Sequence, residues 1–267
     1  MPQLAPEAGK FDTASLYALL ERFMVPDAVR ASAYEGLAPA DRARCKRTIA
    51  RIFALYPPCA RQESKTQELD GFWAVSSWQA VSSFLCLCSS RYPCPEALLA
   101  ALVPAALARV EHIIVCFVDE GSSVDTPAPV PDSTFASLLA ALDLGGFEVA
   151  CCLPSNTVHK IIRNEKTRPG RVVMLGAVDQ WESILIEAAR QGIPTLPLPG
   201  LPAPQTAVFL NPAPGAGEQA ARMPDNTKPF AAGLVLDADH EGIWLWPGLA
   251  PEWFRDYSLT LSSSCCS

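Results

Sequence analysis

The sequence predicts an α/β protein: a parallel or mixed sheet with helices on both faces, preceded by N-terminal helices. Three observations predict it. Between residues 84 and 210, short apolar runs (FLCLC, HIIVCFV, FEVACCL, RVVML, AVFL) alternate with stretches of helical length rich in alanine and leucine. The runs lack the polar alternation of a half-solvated strand, as befits strands covered on both faces. Turn residues punctuate the junctions, with Gly145-Gly146 and Gly192 each closing a helix-like stretch. Such βα alternation builds a parallel sheet with right-handed crossovers, and ligands of such sheets sit beyond the carboxyl ends of the strands.

Bulk properties exclude several classes. A chain of 267 residues can bury a sizeable core. The net charge of −7 gives no basic footprint for nucleic acid, so no nucleic-acid partner is expected. No apolar run reaches the roughly 18 residues of a membrane span. The stretch 97–110 comes nearest, but Pro104 and Arg109 interrupt it, so no membrane association is expected. The first residues lack a charged segment followed by an apolar one, so no signal peptide is read there. Ten cysteines sit at 45, 59, 86, 88, 94, 116, 151, 152, 265 and 266. Several lie within apolar runs, where a thiol behaves as a small hydrophobe. They read as reduced thiols of a cytoplasmic protein.

The elements follow in order. Residues 1–10 read as a loose tail. Residues 11–23 carry Leu16, Leu19, Leu20 and Phe23 at helical spacing, with Asp12 or Thr13 as N-cap and Pro26 beyond the end. Residues 39–56 form a second helix with the stripe Cys45, Ile49, Ile52, Phe53 and Tyr56, stopped by Pro57-Pro58. Its other face, Arg42, Arg44, Lys46, Arg47 and Arg51, suits either a solvated surface or phosphate contact. Residues 63–71 are a polar connection, and 72–81 are rich in aromatics and serine. Strands are expected at 84–88, 110–118, 147–153, 171–175 and 207–210, with a short extended piece at 194–198. Helices are expected at 96–108, at 133–142 with Asp132 as cap, from Ser155 or Asn156 to Ile162, and at 179–191. Residues 212–228 are proline-rich and linker-like. Residues 234–236 and 243–246 suggest a hairpin, after which Trp244, Trp246, Trp253 and Phe254 would close over the sheet. The domain reading is therefore a helical segment to 70, an α/β core over 71–211, a linker over 212–229 and a C-terminal hairpin and tail packing on the core over 230–267, of which residues 262–267 read as frayed.

Three segments carry a family resemblance. EALLAALVPAALARVEHIIVC resembles the helix and strand that follow the Y-x-P-G-G turn of histidinol dehydrogenase. LLAALDLGGFEVACCLPSNTVHKII is similar to that family's leucine-rich helix, G-aromatic, strand and GGAQAIAA segment. RVVMLGAVDQWESILIEAARQGIPTLPLPGLPAPQTAVFLNP looks like its strand, GPGN, helix and D-x-P-A-G-P-S-E segment. The resemblance spans about residues 81–211. It implies a Rossmann-like fold, and for the family it implies NAD- and zinc-dependent oxidation of an amino alcohol.

The departures decide which chemistry is expected. The Y-x-P-G-G turn is replaced by Leu87-Cys88-Ser89-Ser90-Arg91, the paired glycines after the third strand by Pro154-Ser155, and G-P-G-N by Gly176-Ala177-Val178-Asp179. Side chains at such positions crowd a pyrophosphate that glycine would admit. The family's zinc-ligand and Glu-His motifs have no counterpart. The closing WPGLAPEWFRDYSLT faintly resembles its W-x-P-E-x-x-G-D-Y stretch, which places Asp256 where the family has a zinc-binding aspartate. One carboxylate alone does not hold zinc.

The candidate residues are few. Ser155, Asn156 and Thr157 open a helix directly after a strand, which suits both anion binding and ordinary capping. Together with Gly176 and Asp179 they form the expected cofactor-binding set, for which NAD is the candidate. His159, one turn inside that helix, is a candidate acid–base group, or a structural histidine. Asp256 is the other catalytic candidate. Cys86, Cys88 and Cys94, with His112 or Cys116, could form half of a metal site or be plain thiols, and no metal is expected. Asp237, Asp239, His240 and Glu241 read as a cation site or a solvated turn. The expected function is a histidinol-dehydrogenase-like protein without zinc-dependent catalysis, a pseudoenzyme candidate binding a nucleotide or small anionic ligand at the strand ends. The alternatives are an NAD-dependent oxidoreductase with a remodelled site, and a non-catalytic protein whose N-terminal helices and C-terminal tryptophans form a partner or homodimer surface.

Overall fold

The computed structural model describes residues 11–70, 72–118, 132–176, 181–198, 207–210, 234–237, 244–246 and 248–263. Its centre is a five-stranded parallel sheet of β3 (Ser83–Cys88), β4 (His112–Val118), β5 (Val149–Leu153), β6 (Arg171–Leu175) and β7 (Thr195–Leu198). The spatial order is β5-β4-β3-β6-β7. The chain steps outward from β3 to β5, then returns to lay β6 and β7 on the other side of β3. The order reverses between β3 and β6, which makes their carboxyl ends the topological switch point of a doubly wound sheet. This is the Rossmann-like architecture expected.

Helices cover both faces because the strand side chains are apolar on both. Phe84, Cys86 and Cys88 point to one face and Leu85 and Leu87 to the other, following the two-residue period. The first face packs α2 (Asp27–Gly36), α3 (Pro39–Leu55), α4 (Pro95–Leu107) and α5 (Ser133–Gly145). The second packs α1 (Thr13–Leu20), α6 (Ser155–Arg163) and α7 (Glu182–Arg190). Helix α4 is buried along nearly its whole length, including Leu98, Leu99 and Leu102. Each such leucine contributes roughly 1.5–3 kcal/mol relative to exposure. That all-round burial explains why its sequence is apolar on every face and continues through Pro104.

Local signals set the ends. Asp12 caps α1 by accepting from the Ala14 N–H, and Asp132 caps α5 by accepting from the Phe135 N–H. Gly146 ends α5 at φ +73°, a conformation that glycine takes without strain. At Gly170 an added Cβ would lie 2.7 Å from that of Val81, so only glycine fits beside β3 there. The Val25 N–H donates to the Ala150 carbonyl at 2.8 Å and shields the open edge of β5.

Several elements differ from expectation. Helix α2 lies where none was read, because it buries only Ala33 and its apolar stripe is thin. The polar connection is a strand, β1 (Gln62–Leu69), and residues 72–80 are its partner β2 (Phe72–Ala80). The helical segment therefore ends at Leu55, not at 70. Strand β10 (Arg255–Ser263) pairs with β2, giving a three-stranded antiparallel sheet in the order β1-β2-β10. Of the tail expected to be frayed, residues 262–267, Ser262 and Ser263 are in this strand and the remainder lies outside the described residues. Strand β9 (Leu234–Asp237) pairs in parallel with β8 (Ala207–Leu210), and Trp244–Trp246 are not a strand, so the expected hairpin is replaced. The tryptophans do close over the core. Trp246 is buried and donates from Nε1 to the Ala97 carbonyl at 2.8 Å, and Phe254 packs edge-on against Phe84 at 4.8 Å. No described helix is long and apolar enough to cross a membrane.

Candidate functional site

The switch point is framed by Cys88 and Leu175, which are register partners at the ends of β3 and β6. Beyond Cys88 the chain turns tightly, with the Tyr92 N–H donating to the Ser89 carbonyl at 3.0 Å. Tyr92 is buried, and its hydroxyl has no hydrogen-bond partner among the described residues. Helix α4 then starts with Pro95 and Glu96. Glu96 is almost fully buried in the first turn, where the helix dipole favours a negative charge. Its Oε1 accepts from Arg44 Nε at 2.9 Å, and its Oε2 accepts from the Cys94 thiol at 3.5 Å. Arg44 also pairs with Asp41 at 2.6 Å. The Glu96 hydrogen bond pushes the Arg44 guanidinium above its ordinary value. Burial, aided by Glu96, pushes the Cys94 thiol up to about 12. In a doubly wound sheet the helix after the first strand receives a dinucleotide pyrophosphate at its start. Here that start holds the chain's own carboxylate.

On the other side of the crevice, Gly176 follows β6 with φ +130°, a conformation side chains resist, and its N–H donates to the Leu198 carbonyl at 3.2 Å. Asp179 lies outside the described residues.

The Ser155, Asn156 and Thr157 candidates lie elsewhere, where β5 passes into α6. The N-cap is Pro154, not Ser155 or Asn156, and no side chain caps the helix. Proline occupies the cap because its fixed φ suits the extended entry. Ser155 and Asn156 are exposed, while Thr157 is buried with its N–H on the Pro154 carbonyl at 2.9 Å. The Thr157 hydroxyl donates to Asn156 Oδ1 at 3.3 Å. No acidic residue stands in the first turn. The other helices that follow core strands differ: α4 begins with Glu96, α5 is capped by Asp132 and α7 begins with Glu182. Among these four, α6 alone presents a helix start without a carboxylate.

The candidate set therefore divides. The ends of β5 and β6 are three strand spacings apart, about 14 Å. One small anion cannot touch both Asn156 and Gly176. His159 is half-buried, with Nε2 3.4 Å from the Ser183 hydroxyl of α7 and Nδ1 without a partner among the described residues. Asp256 sits at the opposite end of the sheet. It is exposed in β10 and accepts from Arg171, the first residue of β6, at 2.8 Å. The structure does not bring His159 and Asp256 together, because one lies on a helix over the second face and the other at the amino end of the strands.

The cysteine set is also dispersed. Cys86 and Cys88 share a face, as alternation requires, but Cys116 is on the other face and His112 is bonded to Thr13 at the amino end of β4. Among the described residues no three His, Cys, Asp or Glu side chains are placed to hold a metal ion. Burial pushes the Cys86 and Cys88 thiols well above their ordinary range. The cluster from Asp239 to Glu241, and the side chain of Asp237, lie outside the described residues. Of two cavities, of about 600 and 720 Å³, one lies among α2, the start of α3 at Asp41 and the start of α5 at Ser133, and one at the amino end around Glu111 and Glu148. Glu96 and Tyr92 were missed by sequence reasoning, and Arg44, read as a solvated or phosphate-contacting residue, is instead paired with Glu96. The available signal was the Pro95-Glu96 pair opening a helix after the first core strand.

Comparison with solved structures finds a similar fold in histidinol dehydrogenase from Elizabethkingia anophelis, with a TM-score of 0.53 and 13% identity over 71% of this chain and 41% of that one. A putative aldehyde dehydrogenase, PutA from Anabaena variabilis, matches at a TM-score of 0.41 and 16% identity, covering 69% of this chain and 36% of that one. The chain thus spans less than half the length of the histidinol dehydrogenase it matches. No protein-family pattern and no curated protein sequence matches it. The likeness to histidinol dehydrogenase establishes a related dehydrogenase-type fold.

Proposed function

We propose that this dehydrogenase-fold protein binds a small anionic ligand at the start of α6 and carries out no zinc-dependent catalysis. One contrast supports the reading above all others. The start of α4 at the switch point is filled by the Glu96 carboxylate, whereas the start of α6 carries no carboxylate and exposes Ser155 and Asn156. Free N–H groups and the positive helix end favour an anion there. The residues present do not fit a dinucleotide laid along α4, because its pyrophosphate would meet a buried carboxylate. They do not fit a zinc centre either, since His112, His159 and Asp256 lie on different parts of the fold.

Thermal melting with inorganic phosphate and with AMP tests the reading. Both should raise the melting temperature of the wild-type chain. The substitution Asn156→Asp supplies the missing negative charge, so it should stabilise the free protein by about 0.3–1 kcal/mol and abolish the phosphate response. An undiminished response in Asn156→Asp would sink the proposed location.

The second reading, an NAD-dependent oxidoreductase with a remodelled site, rests on Gly176, whose φ of +130° lets a ligand approach the backbone closely beside Cys88. It requires NADH to form when NAD and an amino alcohol such as histidinol are supplied. Absence of that absorbance change, with and without added zinc, removes it.

A further inference from the structure

Three helices of the core end in the same way, and one of them departs in the residue it uses. After α4, α5 and α7 the chain passes through a left-handed residue, at Arg109 (φ +65°), Gly146 (φ +73°) and Gly192 (φ +68°). Each donates its N–H to the carbonyl three residues back, Ala106, Asp143 and Ala189, at 3.0, 3.2 and 3.0 Å. The residue after each donates to the carbonyl five back, Ala105, Leu142 and Ala188. Glycine suits such an end because it has no Cβ to strain at positive φ. Glycine serves at two of the three, while Arg109 is the one non-glycine residue of positive φ among the described residues. Strain kept in a residue with a long side chain points to a use for that side chain. Arg109 is exposed and lines the cavity of about 720 Å³ at the amino end of β4 and β5. Glu148 lines it too, and neither the Arg109 guanidinium nor the Glu148 carboxylate has an ion-pair partner among the described residues. The contact of Glu148 with Arg30 runs through its main-chain carbonyl. The other two charges lining the cavity match each other, since Arg61 pairs with Glu111 at 2.5 Å. Half-buried Tyr17 and Ile113 supply apolar wall.

We infer that this cavity binds a small amino-acid zwitterion, its carboxylate on Arg109 and its ammonium group on Glu148. Charge complementarity selects the class. A simple anion would gain Arg109 but would face two glutamates and the negative ends of α4 and α5. A simple cation would gain Glu148 but would face two arginines. A ligand that carries both charges meets both unpaired groups and adds no net charge to the cavity. The planar guanidinium takes a carboxylate through two parallel hydrogen bonds, which a glycine at 109 could not offer. An apolar side chain then lies against Ile113 and the Tyr17 ring. The site is separate from the start of α6. The five residues of β5 stand between them, a length of about 16 Å.

Thermal melting of the full chain with leucine at about 10 mM tests this, a concentration that registers millimolar binding. Leucine should raise the melting temperature of wild type. Leucinamide, which lacks the carboxylate, and 4-methylpentanoate, which lacks the ammonium group, should each raise it less. Arg109→Gly should melt at or above the wild-type temperature, because glycine relieves the left-handed strain, and should lose the leucine response. Glu148→Gln, at an exposed position, should melt within a few degrees of wild type and also lose the response. A wild type indifferent to leucine, an equal response to either analogue, or a response that survives in Arg109→Gly or Glu148→Gln would each overturn the inference. So would an Arg109→Gly protein that melts below wild type, since the arginine would then be held for the fold and not for a ligand.

Discussion

Arg44 Nε lies 2.9 Å from Glu96 Oε1 and ties α3 to the first turn of α4. The pair puts a buried carboxylate where a doubly wound fold offers its strongest anion site. Removing the charge strips Arg44 of its buried partner, though Arg44 is itself partly solvated and keeps Asp41. Glu96→Gln should therefore cost about 1–2 kcal/mol in urea unfolding. A midpoint equal to that of wild type would show that the pair contributes nothing.

The start of α6 is linked to α7 at its far end, where Arg163 donates to Glu187 at 2.8 Å. That hydrogen bond holds the Glu187 carboxyl below its ordinary value of 4.5. The folded form thus binds a proton less readily than the unfolded one. The contribution is complete above about pH 4.5 and fades as pH falls through the lower folded value. Glu187→Gln should lack this acid-side loss, giving a shallower decline in melting temperature below pH 4.5. Parallel acid limbs for the two proteins would contradict the assignment.

Thiol reactivity should report the fold. Burial raises Cys45 and Cys151 to about 12, and Cys86, Cys88 and Cys116 are raised by burial too. A thiol is attacked as its thiolate, so these five should resist a disulfide reagent at pH 8 and react only on unfolding. Rapid labelling of Cys86 or Cys88 in the native protein, read by mass spectrometry of peptides, would show that the end of β3 is open.

The core strands were legible because both of their faces are apolar, and Arg171–Leu175 falls where the sequence put it; Ala207–Leu210 is a strand as expected but pairs with β9 outside the core sheet. Residues 62–69 were not, since all eight are exposed and only the ladder to β2 makes them a strand. Helix α2 was hidden by its thin stripe, as its contact with α5 runs through small residues such as Ala33 and Ala136. In the site, the SNT opening of α6 was visible because a strand, a proline and small polar residues are contiguous. The Arg44–Glu96 pair was not, because its partners stand 52 residues apart and only packing of α3 on α4 joins them. Asp256 misled for the converse reason: a motif-like neighbourhood on a strand that folding carries to the far end of the sheet.

The location of the anion is the central claim, and amide chemical shifts measure it directly. Titrating inorganic phosphate into nitrogen-15-labelled protein should move the Ser155 and Asn156 amide signals in a saturable way and leave those of Ser89, Ser90 and Gly176 in place. Shifts at Ser89, Ser90 and Gly176 with none at Ser155 and Asn156 would place the ligand at the β3–β6 crevice and contradict the account.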